Sequence, residues 1–135
     1  MRLHAMVLTV GAVMMLLAGL AGAQENDNSE VWGSRDVTMR VTAQGAELDF
    51  ACAHGAIQQP IRPNAAGEFS VPGTYTPERG GPIMKDNPPR DLPAIYKGAI
   101  SGDTMHLEII LSDQSQSPPP FTLTKGKQAK VVKCR

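Results

Sequence analysis

The chain predicts an all-β protein, a small antiparallel meander closing into a roughly eight-stranded β-barrel, with a two-sheet β-sandwich as the alternative. Three observations predict it. Period-two alternation of apolar and polar residues recurs along the chain, and no window keeps helical spacing for long. Short turn signals, several bearing glycine, separate the alternating runs. No crossover helix is available to build a parallel sheet. Short antiparallel strands must hide their edges, and closure does so by construction. An eight-stranded interior just accommodates side chains or one small ligand.

The N-terminus reads as a targeting device. A basic lead, "MRLH", precedes the apolar run "AMVLTVGAVMMLLAGL", and "AGA" supplies small residues for cleavage before Gln24. That is the three-part pattern of a secretory signal peptide. The run is shorter than the ~20 apolar residues of a spanning helix, and no cysteine follows it to carry a lipid. Residues 1–23 are therefore assigned to the signal, 24–31 to a mobile polar arm, and 32–135 to one barrel domain. Cleavage leaves 112 of the 135 residues, one domain's worth.

The strands follow in order. "VTMRVTA" (37–43) puts Val37, Met39 and Val41 on one face and Thr38, Arg40 and Thr42 on the other. Gln44-Gly45 marks a two-residue turn, and "AELDFAC" (46–52) alternates again, with Leu48, Phe50 and Cys52 on its apolar face. "AIQQPI" (56–61) is a weak strand in which Pro60 marks an edge, a bulge or an end. "NAAG" turns the chain, and "EFSVPGTYT" (68–76) places Phe69, Val71, Gly73 and Tyr75 together. Pro72-Gly73 predicts a bulge or bend there. Prolines and glycines forbid regular pairing over 77–93. "AIYKGAI" resumes the strand signal and "SGDT" turns. "MHLEIILS" then points Met105, Leu107, Ile109 and Leu111 inward, with His106, Glu108 and Ile110 outward. "DQSQSPPP" is a loop, "FTLT" adds Phe121 and Leu123 to the interior, "KGKQ" turns, and "AKVVKC" (129–134) reads as the last strand.

Charge narrows the partners. The signal carries Arg2 and no acid, so the mature chain holds 12 basic and 13 acidic residues, a formal charge of −1. Such a chain gives no electrostatic reason to expect nucleic acid or an anionic membrane. The lysines of "TKGKQAKVVKCR" fit a solvated strand face. Glu47 and Asp49 share the outer face of a strand and read as solubility residues, not as an acid/base pair.

Cys52 and Cys134 are the only cysteines. In an exported chain two cysteines are most simply one disulfide, feasible if both reach the same end of the barrel. The competing readings lack parts. Cys52-x-His54 supplies two metal ligands where a structural zinc site wants four. The other mature histidine, His106, faces outward, and Met39, Met84 and Met105 fall at no ligand spacing. A nucleophilic Cys52 needs a free thiol and an oriented base, and redox exchange usually uses Cys-x-x-Cys, which is absent. No Gly-x-Ser-x-Gly, His-Glu-x-x-His or phosphate-loop pattern occurs. The sequence therefore predicts no catalytic residue, metal or cofactor, and no enzyme. Candidate binding residues are Trp32, Tyr75, Arg79 and Tyr96. The tyrosines line a barrel mouth or finish a core. Arg79 sits in "ERGGP" (78–82), where glycines bring backbone N–H groups to an anion or, more simply, make a turn needing positive φ.

The segments "VWGSRDVTMRVTAQGAELDFACAHGAIQQPI", "GTYTPERGGP" and "AIYKGAISGDTMHLEIILSD…FTLTKG" resemble a group of small exported bacterial proteins of uncharacterised function. The resemblance covers nearly the whole mature chain and brings no activity with it. The architecture also resembles lipocalin-like and avidin-like small barrels, where a Trp near the first strand plugs one end, as Trp32-Gly33 is placed here. A further likeness is to secreted bacterial metalloprotease inhibitors, eight-stranded barrels with one disulfide and an N-terminal arm, here residues 24–31. The expectation is an exported, periplasmic or extracellular, monomeric, non-enzymatic barrel. It binds a small apolar molecule or contacts another envelope or secreted protein, without nucleic acid and without stable membrane insertion after cleavage. The alternative is a secreted protease inhibitor that uses the arm.

Overall fold

The structure, a computed structural model, describes residues 29–79, 81–82, 85–86, 88–113 and 116–134. The predicted signal peptide (1–23), residues 24–28 of the predicted arm, and Met84 lie outside the described residues. Eight strands follow one another: β1 Glu30–Gly33, β2 Val37–Val41, β3 Ala46–Phe50, β4 Ala53–Ile57, β5 Glu68–Pro77, β6 Leu92–Ser101, β7 Thr104–Leu111 and β8 Phe121–Lys125. Each pairs antiparallel with the next, and β8 returns to β1 through Trp32↔Lys125 and Gly33↔Thr124. The predicted barrel is thus the observed one, closed, with no second sheet among the described residues.

Opposed residues can be followed once around it. Ser101, Thr104, Thr124, Gly33, Thr38, Asp49, His54 and Thr76 lie in one row. Because Tyr75 faces Leu92, Thr76 meets β6 opposite position 91, ten residues from the start at Ser101. That stagger is what tilts the strands of a closed barrel. The turns alternate between two ends. The connections leaving β1, β3, β5 and β7 lie at one end, and those leaving β2, β4 and β6 lie at the other.

The alternation sorts side chains as the sequence predicts. Val37, Met39, Leu48, Phe50, Phe69, Val71, Met105, Leu107, Ile109, Leu111 and Leu123 are buried, while Val41 and Phe121 pack half-buried against them. Trp32, Ala46, Ala53, Ile57, Ala94 and Tyr96 complete the core. β5 carries no bulge: Pro72↔Ile95 and Gly73↔Ala94 keep β6 in register. The Ile100 N–H donates to the Gly67 carbonyl at 2.8 Å, which sets the phase of this ladder. Residues 69, 71 and 73 then bond to β6, and the Pro72 nitrogen faces the β4 side, beyond the last β4 pair, Ala56↔Thr74. A proline there removes no ladder bond. Pro60 likewise lies past the end of β4.

Several boundaries differ from the sequence reading. β4 runs over Ala53–Ile57 instead of 56–61, and β5 and β6 reach into the 77–93 stretch, pairing through Pro77, Leu92 and Pro93. β1 begins at Glu30, inside the predicted arm, and pairs with β2 from Glu30↔Val41. The hairpin of β2 and β3 turns on Ala43-Gln44, because the Thr42 N–H donates to the Gly45 carbonyl at 2.8 Å. Strand β3 stops at Phe50, which pairs with Ala53, so Ala51 and Cys52 form a two-residue turn and Cys52 is exposed instead of facing the core. The segment 129–134 is not a strand. β1 already occupies the free edge of β8, which leaves the tail no ladder to join.

Candidate functional site

The tail and the tip of the β3–β4 hairpin meet at one end of the barrel and build its most elaborate polar cluster. Cys52 and Cys134 form the disulfide the sequence predicts, with Cα atoms 5.2 Å apart across 82 positions, inside the range a disulfide requires. Two main-chain bonds brace the turn. The Cys134 N–H donates to the Ala51 carbonyl and the Glu78 N–H to the Cys52 carbonyl, each at 2.8 Å.

Lys133 is the centre of the cluster. Its ammonium donates to Asp49 Oδ1, to Glu78 Oε2 at 2.8 Å, to the Phe50 carbonyl at 2.9 Å and to the Ala53 carbonyl at 3.4 Å. His54 Nδ1–H donates to the other Glu78 oxygen at 2.9 Å. The Lys133 hydrogen bond holds the Glu78 carboxyl below its ordinary value against the opposing effect of burial, and His54 adds to the lowering. Burial pulls the Lys133 ammonium down, but its bonds to Asp49 and Glu78 together outweigh burial and raise it. The four side chains stay 31 to 54% exposed. The cluster is therefore a wet clasp and not a desolvated catalytic pocket.

Inside the same end lies an aromatic group. The Phe50 ring is 5.5 Å from Tyr75, edge to face, and 5.4 Å from Phe121. Tyr75 is half-buried, and burial raises its hydroxyl above the ordinary 10.0. Tyr96 is fully buried, and its hydroxyl donates to the Thr74 carbonyl at 2.6 Å. Burial first, and Tyr75 second, push its ionisation far up. The Tyr96 ring lies against glycine backbone on two strands. A Cβ built on Gly55 would overlap its hydroxyl, and one on Gly73 would sit 2.8 Å from its Cε2. A Cβ on Gly98 would overlap the Phe69 ring. At these three places the interior has no room for one more carbon.

The four predicted binding residues do not converge. Trp32 is 2% exposed and packs in the core, with the Lys125 ammonium 6.0 Å from its ring centroid. Tyr96 and Tyr75 belong to the interior just described. Arg79 lies exposed on the loop leaving β5, near Gly81, whose φ of 94° fits the turn reading of "ERGGP". His106 stands on the outer face, 3.3 Å from Thr122 Oγ1. It borders a cleft of about 550 Å³ across β5, β6 and β7, with Glu68, Ser70, Lys97, Glu108 and Pro120. Glu47 and Asp49 both face outward, and only Asp49 enters the clasp. Sequence reasoning missed Glu78 and Lys133, which lie 55 positions apart. Their one signal is Lys133 beside a paired cysteine.

Among the described residues no group of three or more His, Cys, Asp or Glu side chains is placed to hold a metal ion. Comparison of the chain with family models, with curated proteins and with solved structures finds no match.

Proposed function

We propose that this chain is an exported, non-enzymatic, lipocalin-like barrel that works through its outer surface, by contact with another envelope or secreted protein. The observation that carries the proposal is the filled interior. Tyr96 and Phe69 occupy space that a small apolar ligand would need, and glycines stand where any other residue would collide with those rings. Barrels that carry ligands keep a cavity for them. The disulfide supports the export part of the proposal, since such bonds persist in oxidising compartments.

Native mass spectrometry of protein purified from its source tests both parts. The expected mass is that of residues 24–135 less two hydrogens, with no non-protein adduct. A retained apolar molecule would overturn the contact reading, and an intact residue 1–23 segment would overturn export by cleavage. In-cell crosslinking should then join the folded barrel to a defined exported protein.

A further inference from the structure

We propose that residues 126–134 are a strap buckled to the barrel by an exposed disulfide, and that an external dithiol opens the buckle without unfolding the barrel. This goes beyond the contact reading and does not rest on it. The chain leaves β8 through Gly126, at φ 79°, and crosses the outer face of the barrel toward the opposite end. At its start the Gly126 N–H donates to the Val31 carbonyl at 2.6 Å. The main chain then passes so close over Gly33 that a Cβ there would overlap the Lys127 carbonyl oxygen. The Ala129 carbonyl accepts from Thr38 Oγ1 at 3.0 Å. At its far end Lys133 and Cys134 make the contacts described above.

Between these moorings Lys130 and Val132 are exposed and Val131 is half-buried. Val132 is 80% exposed, the one large hydrophobic side chain left in water among the described residues, although aliphatic side chains gain by burial wherever a surface is offered. The far mooring is itself in water: Cys52 and Cys134 are both exposed, and Lys133 is 41% exposed. Exposed ion pairs of this kind hold weakly, so the covalent bond is the part that keeps the strap down. The barrel's own closure, β8 on β1, is made upstream of the strap apart from the Gly126–Val31 bond at its root.

The chemistry is ordinary exchange. A thiolate of the dithiol attacks one sulfur of the Cys52–Cys134 bond, forming a mixed disulfide and releasing the other cysteine as thiolate. The second thiol of the reagent then displaces the first cysteine. The protein gains two electrons and two protons, and the dithiol becomes a disulfide. Freed of the bond, Lys133 leaves Asp49 and Glu78 without their shared cation, and the outer faces at Gly33 and Thr38 are bared.

The test compares oxidised protein with protein reduced by dithiothreitol, using hydrogen exchange and trypsin. The expected result is loss of protection at the Cys134 amide and faster cleavage after Lys127 and Lys130, with the amides of β5, β6 and β7 still protected. Removal of the reagent and reoxidation should restore the tail. A tail that stays protected after reduction would show that Lys133 alone secures it, and the proposal fails. Collapse of protection in β5 to β7 together with the tail would show a global staple instead of a buckle, and the proposal fails equally. The Cys134→Ser variant, examined without reagent, should match the reduced protein.

Discussion

Tyr96 gives the sharpest test of whether the barrel is full. In Gly55→Ala the added methyl overlaps the Tyr96 hydroxyl and stands 3.0 Å from the Thr74 carbonyl oxygen. The ring has little room to swing aside, because it lies so close to Gly73 that a Cβ there would stand 2.8 Å from its Cε2. Overpacking of this kind costs about 1–3 kcal/mol. Tyr96→Phe alone removes the bond to Thr74, a net loss of about 0.5–1.5 kcal/mol. In the double variant the hydroxyl overlap is gone, and the nearest remaining neighbours of the methyl are Thr74 O at 3.0 Å and the ring Cζ at 3.3 Å. The double variant should therefore be more stable than the sum of the single losses by about 1–2 kcal/mol, a coupling well above the scatter of independent sites. Urea unfolding followed by the fluorescence of Trp32, the single tryptophan, measures all three variants. Additivity to within about 0.5 kcal/mol would mean that the ring has spare room, and the case for a ligand-free interior would go with it.

Three further outcomes follow from the same geometry. Tyr96 should not ionise while the barrel stands; its folded value is raised far above the ordinary 10.0, so stability is lost as pH climbs from there, and its phenolate absorbance should appear only with unfolding, whereas half-buried Tyr75 is raised as well and should titrate above 10.0. Lys133→Met should destabilise by at most about 1 kcal/mol at neutral pH, the range of exposed pairs. Glu78 is depressed below 4.5, so its contribution is present above that value and fades as pH falls through the folded one; the gap between variant and wild type should close in acid, and a gap that persists in acid would assign the effect to packing. Gly33→Ala should lift the strap off the outer face and speed trypsin cleavage after Lys127 and Lys130 without reduction, a result that unchanged cleavage would refute.

Alternation in the sequence was enough to place β2, most of β3, β7 and β8, because each buries one face and wets the other. It failed where side chains are small or partners are distant. β4 reads poorly as a strand because two of its three inner positions are Ala53 and Gly55, and Gly55 is kept small by the Tyr96 ring arriving from β6. The Ala51-Cys52 turn has no Gly, Asn or Asp to announce it. The tail and Glu78 fix it from outside, through bonds to the Ala51 and Cys52 carbonyls, and no local pattern encodes them. Val131 and Val132 have strong strand propensity, yet the tail is not a strand, since propensity cannot supply a ladder edge that β1 already fills. The disulfide was legible from cysteine count and compartment. The Lys133 clasp beside it was not, because its carboxylates come from two other strand ends.

The position of the disulfide argues for a division of labour within this small fold. Closing a loop of 82 positions removes roughly 4.5 kcal/mol of unfolded-chain freedom in the entropy model, a large share of the ~5–15 kcal/mol that holds a domain together. A staple meant only for stability could join two strands anywhere on the sheet. This one joins a turn to the last described residue of a tail that contributes no ladder and leaves Val132 in water. Part of the cross-link's effect is therefore spent on keeping that tail ordered, at about 1–2 kcal/mol of backbone freedom per residue, which the reduced barrel recovers. The strand interior, closed by β1 and β8 and filled by Tyr96 and Phe69, needs the bond least. The outer surface between β8 and the β3–β4 tip is shaped by it.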